Sequence, residues 1–203
     1  MQVLSRPRVG SSVEKSGSWR AIGAAAMPGG WRDQRGFTLV ELMITLAVAV
    51  VLIMIAVPSF RAITLSSKLT TTANDMVASL NVARMEAIKR NANIQFCSDL
   101  AANNTSDPLG TQCGTQAGAV VAATGPDVRA ATVGLSSPLR LNGNIVAIRY
   151  GGQGLGHRVN STNPYTGTVA DICTSVVSSD NHRVISMVAG SIIQTTTSSG
   201  ACP

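Results

Sequence analysis

Leu42 to Val57 is an uncharged run, apolar throughout except for Thr45, with a single carboxylate, Glu41, at its head. Wound as a helix it is apolar on every side, which suits lipid and not water. Counted from Phe37 to Phe60 the segment is about 24 residues, or roughly 36 Å of helix, enough to cross a hydrocarbon core of about 30 Å. A carboxylate there costs roughly 2.5 to 3.5 kcal/mol at mid-helix and less near an end. Glu41 therefore needs a partner charge. A secretory signal or plain signal anchor is the alternative, but a signal's apolar core runs about 7 to 15 residues and ends at a small-residue site. This run is longer and continues into more helix.

Pro58 stands where the lipid-facing run stops. It has no N–H and crowds the carbonyl of Met54, so it should kink or loosen the helix there. The helix should nonetheless go on, because Leu65, Leu69, Ala73, Met76, Leu80, Ala83 and Ala87 recur in steps of three and four with Lys68, Asn74, Asn81, Arg84 and Lys89 off the stripe. The spacing predicts a helix of about 50 residues whose first half lies in lipid or a filament and whose second half packs on a globular domain. After Arg90 the sequence changes to short β-prone runs divided by Gly, Asn, Ser, Thr and Pro. Strands are predicted near 94–97, 117–123, 139–141, 145–150, 169–173, 183–188 and 191–195.

The formal net charge of +6 is concentrated at one end. Before Phe37 there are six basic and two acidic residues; after it there are ten and eight. Arg32 and Arg35 beside the span favour a cytoplasmic N-terminus and an exported C-terminal domain. The basic balance thus speaks to topology more than to nucleic acid.

The run Arg35-Gly36-Phe37-Thr38-Leu39-Val40-Glu41, leading into the apolar stretch, resembles the processing site of type IV prepilins and pseudopilins. The resemblance implies that a prepilin peptidase cuts between Gly36 and Phe37 and methylates the new N-terminal residue. It also implies that Glu41 pairs with the N-terminal amine of a neighbouring subunit as the helix passes from bilayer to filament. Met27 offers an internal start giving a ten-residue leader, the form this family favours, in which case residues 1–26 are not translated. Further on, Leu80-Asn-Val-Ala-Arg84-Met-Glu86-Ala87-Ile-Lys89-Arg90 followed by Ile94-Gln-Phe-Cys97 is similar to the helix end and first strand of the GspH/FimT group of minor pilins and pseudopilins. That likeness implies an α+β type IV pilin fold, a long N-terminal helix leaning on a β-rich, sandwich-like domain. The organisation expected is a leader over 1–36, a transmembrane and assembly helix over 37–60, its amphipathic continuation over 61–90 and an extracytoplasmic domain over 91–203.

Cys97, Cys113, Cys173 and Cys202 all follow the span, an even number in a domain expected to be exported. Three pairings are possible. Order along the chain and the loop-rich gap 98–112 favour Cys97–Cys113 and Cys173–Cys202, with four buried thiols as the alternative. No C-x-x-C pair exists and neither His157 nor His182 lies at ligand spacing from a cysteine, so each histidine reads as a lone surface or half-buried side chain and no metal is expected.

Enzyme signatures are missing: there is no G-x-S-x-G elbow, Walker A loop or H-E-x-x-H. Gly151-Gly-Gln-Gly154-Leu-Gly156 has the wrong spacing for a dinucleotide loop and reads as a turn between strands. Asp99, Asp107, Asp127, Asp171 and Asp180 read as solvated loop residues. Some FimT-like pilins take up DNA through a Gly-Arg-x-Arg motif, but the corresponding stretch here, Gly190-Ser-Ile-Ile193, carries no arginine. After Ser59 and in the helix start only Phe37, Phe60, Phe96, Tyr150 and Tyr165 are aromatic, which leaves few stacking platforms. Both observations speak against direct DNA binding.

The expected function is that of a minor pilin of a type IV pilus, with no cofactor and no catalysis. Its alternatives are a type II secretion pseudopilin and a DNA-uptake pilin. The expected partners are a prepilin peptidase, other pilins or pseudopilins and the inner-membrane assembly platform. The subunit should be held in the inner membrane, N-terminus in the cytoplasm and domain in the periplasm, before entering the filament.

Overall fold

A computed structural model describes residues 36–203. Residues 1–35, with Met27, Arg32, Arg35 and all of the expected leader but Gly36, lie outside the described residues. Two units are distinguished, Met1–Met43 and Ile44–Pro203.

Helix α1 is a single element, Leu39–Arg90, and Pro58 lies within it without ending it. Its buried residues begin at Leu69 and include Ala73, Met76, Leu80, Ala83 and Ala87, the stripe that the spacing predicts, with Leu65 half-buried at its edge. Small residues dominate the last two turns of that stripe, so the helix backbone comes close to the domain. Glu86, in the last turns, accepts from Lys89 and Arg90. Its hydrogen bond to Arg90, and then that to Lys89, holds its carboxyl below the ordinary range.

Beyond the helix the chain forms two antiparallel four-stranded sheets. The first comprises β1 (Ile94–Phe96), β2 (Val120–Ala122), β4 (Ile148–Tyr150) and β5 (Gly156–Arg158), ordered β2-β1-β4-β5. The second comprises β3 (Leu139–Leu141), β6 (Gly167–Thr174), β7 (His182–Val188) and β8 (Ile192–Ser198), ordered β3-β6-β7-β8. Register is set by buried residues: Ile94 stands opposite both Ala122 and Tyr150, and Ile172 opposite Arg183. The fold is therefore α+β, a long apolar N-terminal helix followed by an antiparallel sheet domain.

One continuous core joins helix and sheets: Leu69, Met76 and Leu80 from α1 meet Phe96, Ile148 and Tyr150 from the first sheet and Val169, Ile172, Ile185 and Met187 from the second. Burying such side chains stabilises by about 1.5 to 3 kcal/mol each. A smaller cluster, Cys97, Leu109, Cys113, Ala119 and Val121, lies beyond β1. Its helix α2, Pro108–Cys113, falls inside the gap read from sequence as loop. Asp107 caps it, accepting from Gly110 N–H at 2.9 Å, and Pro108 stands in the first turn.

Strand β5 was not predicted. It follows the glycine turn Gly151–Leu155, and its Gly156 leaves room for Tyr150, whose ring carbon would lie 2.8 Å from an added Cβ.

Candidate functional site

The first site lies at the start of α1. Gly36 is exposed, and among the described residues nothing lies within 4 Å of where a Cβ would stand, so packing against residues 37–203 does not require glycine there. Phe37 is 81% exposed. Thr38 caps the helix: its Oγ1 accepts from Glu41 N–H at 3.2 Å and its carbonyl from Leu42 N–H at 3.1 Å. Glu41 falls in the first turn, where the unpaired amides favour a negative charge. Its side chain is exposed, and among the described residues no cation pairs with it. The carboxylate that the sequence left needing a partner thus finds none in the described part of its own chain.

The helix that follows presents apolar side chains around its whole circumference. Leu46, Val51, Leu52, Ile53, Met54 and Ile55 are each more than half exposed. The most apolar window of the helix has a mean hydropathy of 2.8 and none of it is buried. By length and composition this is a helix able to cross a membrane.

The second half of α1 is fixed to the domain by polar contacts as well as by the core. Arg183, 8% exposed, donates from Nε to Thr70 Oγ1 at 3.2 Å and from Nη2 to Ser66 Oγ at 3.1 Å. Its Nη1 donates to the carbonyls of Asp180 and His182. Asp75 pairs with Arg129, and Arg84 donates to the Ser191 carbonyl at 3.2 Å.

The cysteines are joined Cys97 to Cys113 and Cys173 to Cys202, and no free cysteine remains. Around the first bridge lies a partly buried polar cluster that the sequence did not reveal. Arg149 on β4 donates to Gln95 Oε1 at 2.5 Å and pairs with Asp107 at 2.7 Å. Gln95 in turn donates to the Asn104 carbonyl, and the Asn104 side chain closes the 98–114 loop through Ser98 and Gly114. Burial pushes the Asp107 carboxyl up, but the bonds from Arg149, Gly110 and Thr105 outweigh it and hold the group below the ordinary carboxylate range.

Several expectations are corrected here. His182 is neither exposed nor half-buried: it is 4% exposed, with Nδ1 3.0 Å from Asp171. Asp171 is not a loop acid but a residue of β6, and it also accepts from Asn142 at 2.8 Å. Asp99 accepts from Ile145 N–H at 2.7 Å and so ties two loops together. His157 lies on β5, where Nδ1 contacts the Arg158 carbonyl. Arg183 and His182, the basic pair near Gly190–Ile193, are both inside the domain and so not on offer to a phosphate backbone.

Comparison with family models gives two matches. Residues 72–190 match the family described as type II transport protein GspH, and residues 31–57 match the prokaryotic N-terminal methylation motif. Both reach α1 and leave residues 58–71 of it between them: the motif match ends on its apolar half at Val57, and the domain match begins at Thr72. Searches of curated proteins and of solved structures found no match.

Proposed function

This chain belongs to the GspH family of pilin-like proteins, and from that premise we propose that it is a minor pilin of a type IV pilus. A prepilin peptidase cuts after Gly36 and methylates Phe37. The subunit waits in the inner membrane with its sheet domain in the periplasm, then enters the filament by packing residues 37–60 against other subunits. Glu41 is neutralised there by the amine of a neighbour's first residue, and Pro58 eases the helix where it leaves the apolar environment. The role is assembly, not catalysis.

One observation carries this reading: the methylation motif runs into a helix exposed and apolar on all sides, whose other half is locked into a folded domain. A helix so divided has its second half satisfied within the subunit and its first half satisfied only by lipid or by other helices. Expression with a prepilin peptidase should give an intact mass that begins at Phe37 and carries one methyl group. An uncut chain, or a cut elsewhere, defeats the processing step. Glu41→Ala should leave cleavage largely intact and lower incorporation into filaments; normal incorporation refutes the assigned role.

A type II secretion pseudopilin is the second reading, favoured by the family's own description as a type II transport protein. The Val57-Pro58-Ser59-Phe60 ending and the FimT-like helix end favour the pilus. Deletion of the gene separates the two: loss of twitching with secretion intact supports the pilus, and the reverse supports the secretion system. Binding of duplex DNA by the chain at low salt would revive the DNA-uptake reading.

A further inference from the structure

Two adjoining cavities lie beside α1 where its uncharged run ends. One, of about 410 Å³, is lined by Pro58, Arg61, Ala62, Val176, Val177 and Ser178. The other, of about 300 Å³, is lined by Phe60, Arg61, Thr64, Leu65, Pro138 and Val176. Arg61 and Val176 belong to both. The outer wall is the link between β6 and β7, which reads Ser175-Val-Val-Ser-Ser-Asp-Asn181. Val176 is 60% exposed and the facing Phe60 is 71% exposed. Two adjacent valines at the tip of an otherwise polar hairpin lose nothing in the core and gain only from an apolar surface outside the subunit.

The position of this tip identifies that surface. Val176 stands against the residues that end the span, and Val57 to Arg61 occupy only about 6 Å of helix axis. Arg61 is the first cation after Phe37, placed where a long basic side chain reaches lipid phosphate while its stem stays among apolar groups. Resting on the reading of residues 37–60 as a membrane span, we propose that the β6–β7 hairpin is a second membrane contact of the stored subunit. Val176 and Val177 sit in the headgroup region of the leaflet that faces the domain, and Arg61 lies on a phosphate between hairpin and helix. The occupant is phospholipid because the groove is continuous with the exposed apolar surface of Val57 and Phe60, which the span itself sets at that depth. The subunit then meets the bilayer at two points and is held in one orientation before extraction.

Single-tryptophan forms of the full chain test this, with Trp19 and Trp31 changed to Phe and one reporter introduced. They are reconstituted in phosphatidylethanolamine–phosphatidylglycerol vesicles with brominated or ordinary acyl chains. Leu46→Trp reports the span and Val176→Trp the hairpin. Val133→Trp reports the body of the domain, since its neighbour Gly134 lies against Thr72, roughly 18 Å farther along the helix than Phe60. Brominated lipid should lower emission about twofold or more at Leu46 and Val176 and leave Val133 nearly unchanged. Arg61→Glu should weaken quenching at Val176 and not at Leu46. Quenching at Leu46 with none at Val176, nor at Val177→Trp as a second reporter, overturns the contact while leaving the span; a blue shift at Val176 seen only on co-assembly with other pilins would then assign the groove to a neighbouring subunit. Absence of quenching at Leu46 overturns both.

Discussion

Gly156 donates its backbone N–H to the Gly190 carbonyl at 2.7 Å, joining the edge strand of one sheet to the turn between the last two strands of the other. The approach depends on both residues lacking a side chain. Gly190 has φ +67, and a Cβ added to it would lie 2.4 Å from the Gly156 oxygen. The left-handed conformation alone costs a residue with a side chain about 1 to 2 kcal/mol. Gly190→Ala should therefore destabilise by roughly 2 kcal/mol or more, read as a lower urea midpoint. Gly151→Ala is the control: the nearest atom there is 3.7 Å away, and its effect should be within about 0.5 kcal/mol.

Arg183 is buried with two hydroxyls of α1 and two carbonyls of its own loop as partners. Among the described residues no carboxylate pairs with it, and hydrogen bonds hold its charge. Arg183→Ala should cost about 2 to 4 kcal/mol, because it leaves the buried His182 carbonyl and three part-buried acceptors without their donor and opens a gap between β7 and the helix. Ser66→Ala and Thr70→Ala should each cost less, about 0.5 to 1.5 kcal/mol. Equal stability of the arginine variant and the parent in urea unfolding would show the contact to be dispensable.

Tyr150 is wholly buried, and among the described residues its hydroxyl has no hydrogen-bond partner. Burial pushes its ionisation far above that of a free phenol. Tyr165, also shifted up by burial, donates to the Thr168 carbonyl. Since the unfolded chain gives up these protons near pH 10 and the folded one does not, stability should fall as pH rises past about 10. Absorbance at 295 nm should show Tyr150 ionising only as the domain unfolds. Tyr150→Phe removes the unsatisfied hydroxyl and should leave stability unchanged or raise it by up to about 1 kcal/mol.

Asp107 titrates in the opposite sense. Its folded pKa lies below the ordinary value near 3.8, so its contribution is present above that pH and is lost as pH falls through the lower folded value. Urea midpoints of the parent and of Asp107→Asn should differ at pH 6, begin to converge only as pH falls below about 3.8, and come together below the lower folded value. Solvent reaches the carboxylate, so the gap should be modest. A constant difference across that range would mean that the loss is of the cap geometry and not of charge.

The long helix and its buried face were legible because a regular apolar spacing is a local property, and the stripe from Leu69 to Ala87 packs as its period requires. Strands rich in β-branched residues, such as Arg183 to Val188, were legible for the same reason. Gly156-His-Arg158 was not: it carries no strand preference of its own and pairs because β4 offers it an edge. α2 announces itself through Asp107-Pro108, but six residues are too few to show a helical period. Asp171 and His182 meet only because β6 pairs with β7, and Arg149, Gln95 and Asp107 meet only through three separate segments. Gly36, Phe37 and Glu41 stood out in the sequence through their place ahead of the apolar run, and the structure adds how they are held: an exposed junction, then a capped first turn.

Each disulfide joins a cysteine to the next one along the chain, Cys97 to Cys113 and Cys173 to Cys202. A chain threaded through a membrane from either end presents the two members of a pair in succession, with no third cysteine between them. Oxidation in order of emergence then gives the native bonds directly, and the domain has no wrong bridge to undo. On the proposed export of the domain, the native bonds call for an oxidant and for no exchange of partners between the two pairs.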